Sequence, residues 1–272
     1  MNGQAIGVAG CGRMGLPMAQ ALSRAGFEVW GFDIRPPSDF GDFAPRMIED
    51  PAVFAARCPT VITVVRDVPQ TEALLFDEQA ILQRDGTAIE TLIISSTVST
   101  VSLNALRARV PETIAMIDAP MSGAQIAAEE ARLSFMLGGA AADLDRCQPL
   151  FEAMGAKLHR MGGFGAGMTA KVLNNYVAAT STVAVRRVLG WAAGHGVERE
   201  RMLSLMHDSS GQTWFGSGFD QIEFAKHGYA PDNSIGLLEK DVKAAIHTVG
   251  EAEDDPFHAA LLDRLAGLTD ID

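Results

Sequence analysis

Along the first 120 residues, short apolar runs alternate with amphipathic stretches. "QAIGVAG", "EVWGF", "TVITVV", "TLIIS" and "TIAMID" are rich in β-branched and apolar residues at nearly every position, as strands buried on both faces are. Between them, "MAQALSRAG" and "PAVFAARC" space their apolar residues as a helix with one buried face does. Repeated strand and helix predict a parallel sheet with helices on both faces, a doubly wound α/β arrangement. Near residue 160 the pattern changes. "RMGGFGAG" concentrates glycine, and no convincing strand follows. The periodicity from Ala166 to Gly194 predicts one long apolar helix ending at the glycines of "GHG", and "VERERMLSLMHDSS" stays helical. We therefore expect two domains: residues 1–162 as the α/β domain, and residues 163–272 as an all-α domain that includes the long helix.

Composition narrows what such a chain does. At 272 residues, with 47% hydrophobic and 21% charged residues, it has the material for two packed cores. The net charge of −12 argues against nucleic acid, whose phosphates need a clustered basic face. Cys11, Cys58 and Cys147 are widely spaced, so neither a disulfide framework nor a zinc site is expected, and a reducing cytoplasm fits. The opening "MNGQAIGVAG" lacks a basic leader and its apolar run is broken by glycine, so export is not expected. The apolar run from Tyr176 to Val185 is about half the ~20 residues a membrane span needs, and Arg186 and Arg187 follow it. No membrane association is expected.

The first candidate chemistry lies in "IGVAGCGRMGLPMAQALSRAG". Gly10, Gly12 and Gly15 form a Gly-x-Gly-x-x-Gly triplet between a strand and a helix, with Cys11, Arg13 and Met14 between them. In that context glycine lets the backbone turn tightly and approach a pyrophosphate, while the helix N-terminus offers N–H groups. No Gly-Lys-Ser/Thr ending follows, which excludes a nucleoside triphosphate loop. Asp33 closes the second apolar run, about where a carboxylate bonds both ribose hydroxyls of NAD and repels the 2′-phosphate of NADP. Ile34 and Arg35 follow it. Arg35 offers NADP a partial accommodation, so NAD is the first choice and NADP the second.

Together with later motifs, this loop resembles the β-hydroxyacid dehydrogenase family, which includes 3-hydroxyisobutyrate dehydrogenase and tartronate semialdehyde reductase. The likeness runs from about residue 4 to residue 245. Gly10 through Ala19 is similar to the family's opening signature, and "DAPMSG" at residues 118–123 to its substrate motif. "GAGMTAKVLNN", "SSGQTW" from Ser209 to Trp214 and Lys240-Asp241 are similar to three further motifs in the family's order. The resemblance implies a Rossmann domain, a long interdomain helix, a C-terminal all-α domain, and hydride transfer between a nicotinamide cofactor and a small carboxylate substrate. It implies that Lys171 is the catalytic lysine, Asn175 its neighbour at the substrate, and Ser122-Gly123 the carboxylate cradle. Thr97 would face the nicotinamide, Val65, Arg66 and Gln70 would border the cofactor, and Lys240 would approach it from the second domain. A homodimer or homotetramer is expected, in keeping with the long apolar helix.

The chain departs from the family where Val65-Arg66 replaces a common Leu-Pro, Ile94 an aspartate, and Arg132 a glycine, and it ends sooner, at "LAGLTDID". These changes bear on substrate identity more than on reaction type.

Oxidising an alcohol by hydride transfer requires removal of the hydroxyl proton, and the reverse requires its return. Lys171, Asn174 and Asn175 stand at i, i+3 and i+4, so one helix face presents an amine beside amide groups. The helix's positive end and desolvation would both lower the lysine pKa from about 10.4. An isolated helical lysine is usually solvated, but Ala170, Val172, Leu173, Tyr176 and Val177 make an apolar setting in which a charge needs a partner or a function. Trp214 is a candidate for packing or for lining the substrate pocket. The six histidines make no H-x-x-x-H pattern, Glu129-Glu130 and Asp254-Asp255 read as solvated charge runs, and His195 sits where a helix ends, so no metal is expected. Two competing readings are an imine reductase, which shares the architecture but has no alcohol proton to exchange, and a non-catalytic nucleotide-binding regulator.

Overall fold

Each of the five apolar runs is a strand. The computed structural model describes residues 4–271, and in it β1 (Ile6–Ala9), β2 (Val29–Phe32), β3 (Thr60–Thr63), β4 (Thr91–Ile94) and β5 (Ala115–Asp118) are parallel, in the order β2-β1-β3-β4-β5. Their side chains alternate between two cores. Ile6, Val8, Ile62, Ile93 and Ile117 face one, with α1 (Gly15–Arg24) and α6 (Ala141–Met154). Val61, Leu92, Ile94 and Met116 face the other, with α2 (Pro51–Arg57), α3 (Val68–Leu75) and α4 (Thr100–Arg109). Coverage of both faces is why these strands are apolar at nearly every position. Asp50 caps α2 by accepting from Ala52 N–H, and Asp67 caps α3 by accepting from Gln70 N–H, each cap worth about 1 kcal/mol.

Beyond β5 the sheet is no longer all parallel, which corrects the simple expectation. β7 (Leu133–Gly138) runs antiparallel to β5 and to the two-residue β6 (Met121–Ser122) along one edge, and pairs in parallel with β8 (Gly155–Gly162) along the other. A short α5 (Ala124–Glu129) connects β6 to β7. β8 carries Lys157, His159 and Arg160 and is largely exposed. It has no apolar run to announce it, and backbone pairing with β7 holds it in place.

The order of the parallel strands reverses between β1 and β3. At that switch point the loops after the two strands open at the carboxyl end of the sheet, where open α/β folds bind ligands.

The chain divides into two compact units between Lys171 and Val172, inside α7 (Ala166–Gly194), whose bounds match the expected helix. Every described element of the second unit is helical, with α8 (Arg199–His207), α9 (Trp214–Ser217), α10 (Ser234–Val249) and α11 (Pro256–Ala266) following α7. Ala179 of α7 packs with Ile235, Val242 and Leu261, whereas Val185 and Leu189 pack with Leu203, Met206 and Phe215. Arg186, buried in α7, donates to the carbonyls of Ala225 (2.7 Å), His227 (3.0 Å) and Thr269. His195 lies just past α7 with Nδ1 2.9 Å from the Trp191 carbonyl, so it belongs to the helix end. No described helix is long and apolar enough to cross a membrane.

Candidate active site

The loop between β1 and α1 follows from three glycines, each needed for a different reason. Gly10 has φ +91°, and a Cβ there would lie 2.9 Å from the backbone of Val64 and Val65. A Cβ at Gly12 would meet no atom within 4 Å, so this stretch of backbone is open to an approaching phosphate. Gly15 begins α1 where a Cβ would sit 2.0 Å from the Gly10 carbonyl oxygen. The helix starts after Met14 without a side-chain cap, leaving its positive end for an anion. Arg13 is exposed and donates from Nε to Gln125 Oε1 at 3.1 Å. Cys11 is buried, with Sγ directed at the Val8 carbonyl, and burial pushes its thiol up to about 12. That thiol is a packing group and not a nucleophile.

Asp33 sits directly after β2. Its Oδ1 accepts from the backbone N–H and the Nε of Arg35, both at 3.1 Å, and Arg35 Nη2 also donates to the Cys11 carbonyl at 3.0 Å. The guanidinium lies over the Phe40 ring, 4.6 Å from its centre. Gly12, Arg13, Leu16, Arg35 and Phe40 line a cleft of about 270 Å³ beside the loop. Ile34 points to solvent. The switch point thus gathers an open glycine backbone, an uncapped helix start and a carboxylate at the end of β2, a set that fits a nicotinamide dinucleotide: backbone for the pyrophosphate, Asp33 for the ribose.

After β3, Val65 is half-buried and Arg66 exposed. Gln70 is exposed, and its Oε1 accepts from the Arg66 N–H at 3.0 Å, so its side chain shapes the loop. Thr97 lies half-buried in the segment after β4. Ser122 is half-buried in β6, and the exposed Gly123, at φ +137°, leads into α5.

Lys171 is buried one turn into α7 at 7% exposure. The start of that helix is fixed by a residue whose role sequence reasoning missed. Asp118, at the end of β5 and without exposed surface, accepts from Gly165 N–H at 2.7 Å and from Met168 N–H at 2.6 Å. Burial raises its pKa, and the backbone donors at Gly165 and Met168 pull it back.

In the second unit, Asn175 is buried and donates from Nδ2 to Asp241 Oδ2 at 2.6 Å. Asn174 is exposed, its Nδ2 3.4 Å from Asn175 Oδ1. Lys240 Nζ lies 3.3 Å from Asp241 Oδ1. Asp241 is a second missed residue. The Lys-Asp pair on α10 is visible in the sequence, but its hold on Asn175 spans 66 positions. Trp214 begins α9 with 57% exposure and rests against Phe215 and Phe224.

Comparison with known proteins agrees with this geometry. The family profile described as "NAD binding domain of 6-phosphogluconate dehydrogenase" matches residues 5–163, and that described as "NAD-binding of NADP-dependent 3-hydroxyisobutyrate dehydrogenase" matches residues 165–266. An L-threonate dehydrogenase of Cupriavidus necator is 31% identical over 250 residues, which cover 89% of this chain and 82% of that protein. The structure of Mycobacterium tuberculosis 3-hydroxyisobutyrate dehydrogenase with L-serine superposes with a TM-score of 0.80 at 26% identity, covering 99% of this chain and 96% of the other. An imine reductase of Myxococcus stipitatus, with a TM-score of 0.64 over 98% of this chain and 96% of its own, is 13% identical and shares the fold alone. A Rossmann-like sheet with an open glycine loop, followed by a helical region that matches the dehydrogenase profile, places the chain in the β-hydroxyacid dehydrogenase family as an NAD(P)-dependent hydroxyacid dehydrogenase.

Proposed function

We propose that the chain interconverts a small β-hydroxy acid of the 3-hydroxyisobutyrate kind and its semialdehyde, with Lys171 as general acid and base. When bound, the nicotinamide cofactor supplies or takes up a hydride at the hydroxyl-bearing carbon. The protein manages the proton. In oxidation, neutral Lys171 Nζ accepts it from the substrate hydroxyl; in reduction, the ammonium returns it to the carbonyl oxygen. The Ser122 hydroxyl and the Gly123 backbone hold the carboxylate. Asn175 spends one amide hydrogen on Asp241 and has a second for a substrate oxygen. The observation that carries the reading is the burial of Lys171 on an apolar helix. A cofactor-coupled absorbance screen over hydroxy acids and C3–C4 semialdehydes tests it: turnover is expected with a member of this set, and unchanged NADH absorbance with all of them overturns the proposal.

NAD is the cofactor of choice on this reading, with NADP second. Asp33 accepts from ribose hydroxyls and repels a 2′-phosphate, while Arg35 already spends its Nε on that carboxylate. We expect a higher kcat/KM with NAD(H) and a ratio narrowed about tenfold in Asp33→Ser, the scale of one charge-assisted contact. A wild-type preference for NADPH would show that Asp33 does not read the ribose.

A homo-oligomer, dimer or tetramer, is also proposed. The face of α7 opposite its packed residues exposes Leu173, Val177 at 68% and Trp191 at 58%, and apolar side chains aligned along a helix suit a second copy of the chain. Light scattering at micromolar concentration is expected to give a multiple of 28.9 kDa; a monomer mass would contradict the proposal. The buried, unpaired cysteines Cys11, Cys58 and Cys147 support a cytoplasmic setting.

A further inference from the structure

We propose that Asp118 is a positioning residue for the reaction: by holding the start of α7, it fixes where Lys171 stands. This rests on the reading of Lys171 as the acid and base. The local sequence "GGFGAGM" provides no Ser, Thr, Asp or Asn to cap the helix, and its glycines make the segment costly to order. The missing acceptor comes from the sheet. Asp118 Oδ1 takes Gly165 N–H and Oδ2 takes Met168 N–H, so one carboxylate bridges the residue before the helix and the last residue of its first three. Both distances are in the short range of charge-assisted bonds.

The surroundings are shaped around this bridge. A side chain at Gly138, on the neighbouring β7, would sit 2.2 Å from Asp118 Oδ1, and one at Gly167 would sit 2.4 Å from the Met136 carbonyl oxygen. The first turn of α7 therefore lies directly against the backbone of β7, with the Asp118 carboxylate filling the space that Gly138 leaves. Met168 is itself buried and meets the Val98 N–H through its sulfur at 3.5 Å. Lys171 follows Met168 by three residues, close to one helical turn. A proton-transfer group must stand within hydrogen-bond reach of its target, and a misplacement of about 1 Å costs about 10²-fold in rate. A glycine-rich helix start needs an external anchor to meet that tolerance.

A double-variant cycle of Asp118→Asn and Lys171→Met tests the proposal, with kcat, NADH affinity and thermal melting measured for each protein. Asparagine keeps the shape but turns a donor toward one of the two N–H groups. We expect Asp118→Asn to lower kcat by about 10–10²-fold in the otherwise wild-type chain, to leave the NADH Kd unchanged, and to speed amide exchange at residues 165–168. In the Lys171→Met background the same change is expected to cost nothing further. An equal loss in both backgrounds would mean a merely structural Asp118, and a folded Asp118→Asn protein with wild-type kcat would overturn the proposal outright. Wild-type kcat in Lys171→Met alone would instead remove the lysine reading, a separate and recognisable failure. Asp118→Ser is carried in parallel, so that the cycle runs on whichever variant melts cooperatively.

Discussion

Lys171→Met is expected to keep its fold and its NADH affinity while losing about 10²–10⁴ in kcat, the usual worth of a positioned proton-transfer group. Methionine has a similar length, a comparable helix propensity and no charge to bury. At a position only 7% exposed, a methionine of similar size fills the same space, so the variant is expected to melt cooperatively and close to wild type. The three accounts of this residue then separate cleanly. A solvated lysine predicts no change in rate, and a structural one predicts loss of stability together with loss of rate. Only an acid and base predicts a slow enzyme that binds cofactor normally. Near-wild-type kcat in the folded variant would refute the mechanism.

Gly15→Ala is expected to be the most damaging change in the dinucleotide loop. The added methyl would fall 2.0 Å from the Gly10 carbonyl oxygen and 3.0 Å from its carbon, and both obstacles are backbone, which no rotamer change moves aside. The start of α1 must shift away from the end of β1. We expect a loss of about 3 kcal/mol in stability and NADH affinity weakened by more than tenfold, because the displaced N–H groups no longer converge on one phosphate. Gly12→Ala is the control. Its methyl meets no protein atom, so stability should hold while NADH binding alone suffers. Equal melting and equal NADH affinity for Gly15→Ala and wild type would show that the loop tolerates the bulk by another route.

The dinucleotide loop was legible because its chemistry is local. Three glycines within six positions, a strand before and a helix after, state both a backbone path and its ligand. The five parallel strands were legible because burial on both faces leaves a mark on nearly every residue, and the bounds of α7 because a long run of small and apolar residues lies between two glycine clusters. β8 left no such mark. Its polar residues face solvent while its backbone pairs with β7, and hydrogen bonding by the main chain writes nothing into side-chain pattern. Asp118 and Asp241 were hidden differently. Each stands inside a recognised motif, but what it does is decided by partners 47 to 66 positions away, and no periodicity reports such a meeting. Gln70 shows the converse, a residue placed at the cofactor by motif alone whose side-chain oxygen in the structure serves its own loop.

Arg186 also ties the middle of α7 to the last described segment of the chain. Its guanidinium closes on carbonyls at residues 225, 227 and 269, and the same closing segment pairs Ile271 N–H with the Lys226 carbonyl and Tyr229 N–H with that of Leu268. A buried guanidinium without its acceptors is costly, so the final packing of α7 around Arg186 is expected to form only once residue 269 is available. The sheet, whose described strands end by Gly162, has no such dependence and can fold while the rest of the chain is still being made. Ribosome stalling close behind residue 269 should therefore leave a native nucleotide domain tethered to an unfinished helical one, a state in which the apolar side chains of α7 are most exposed to chaperones and to premature association.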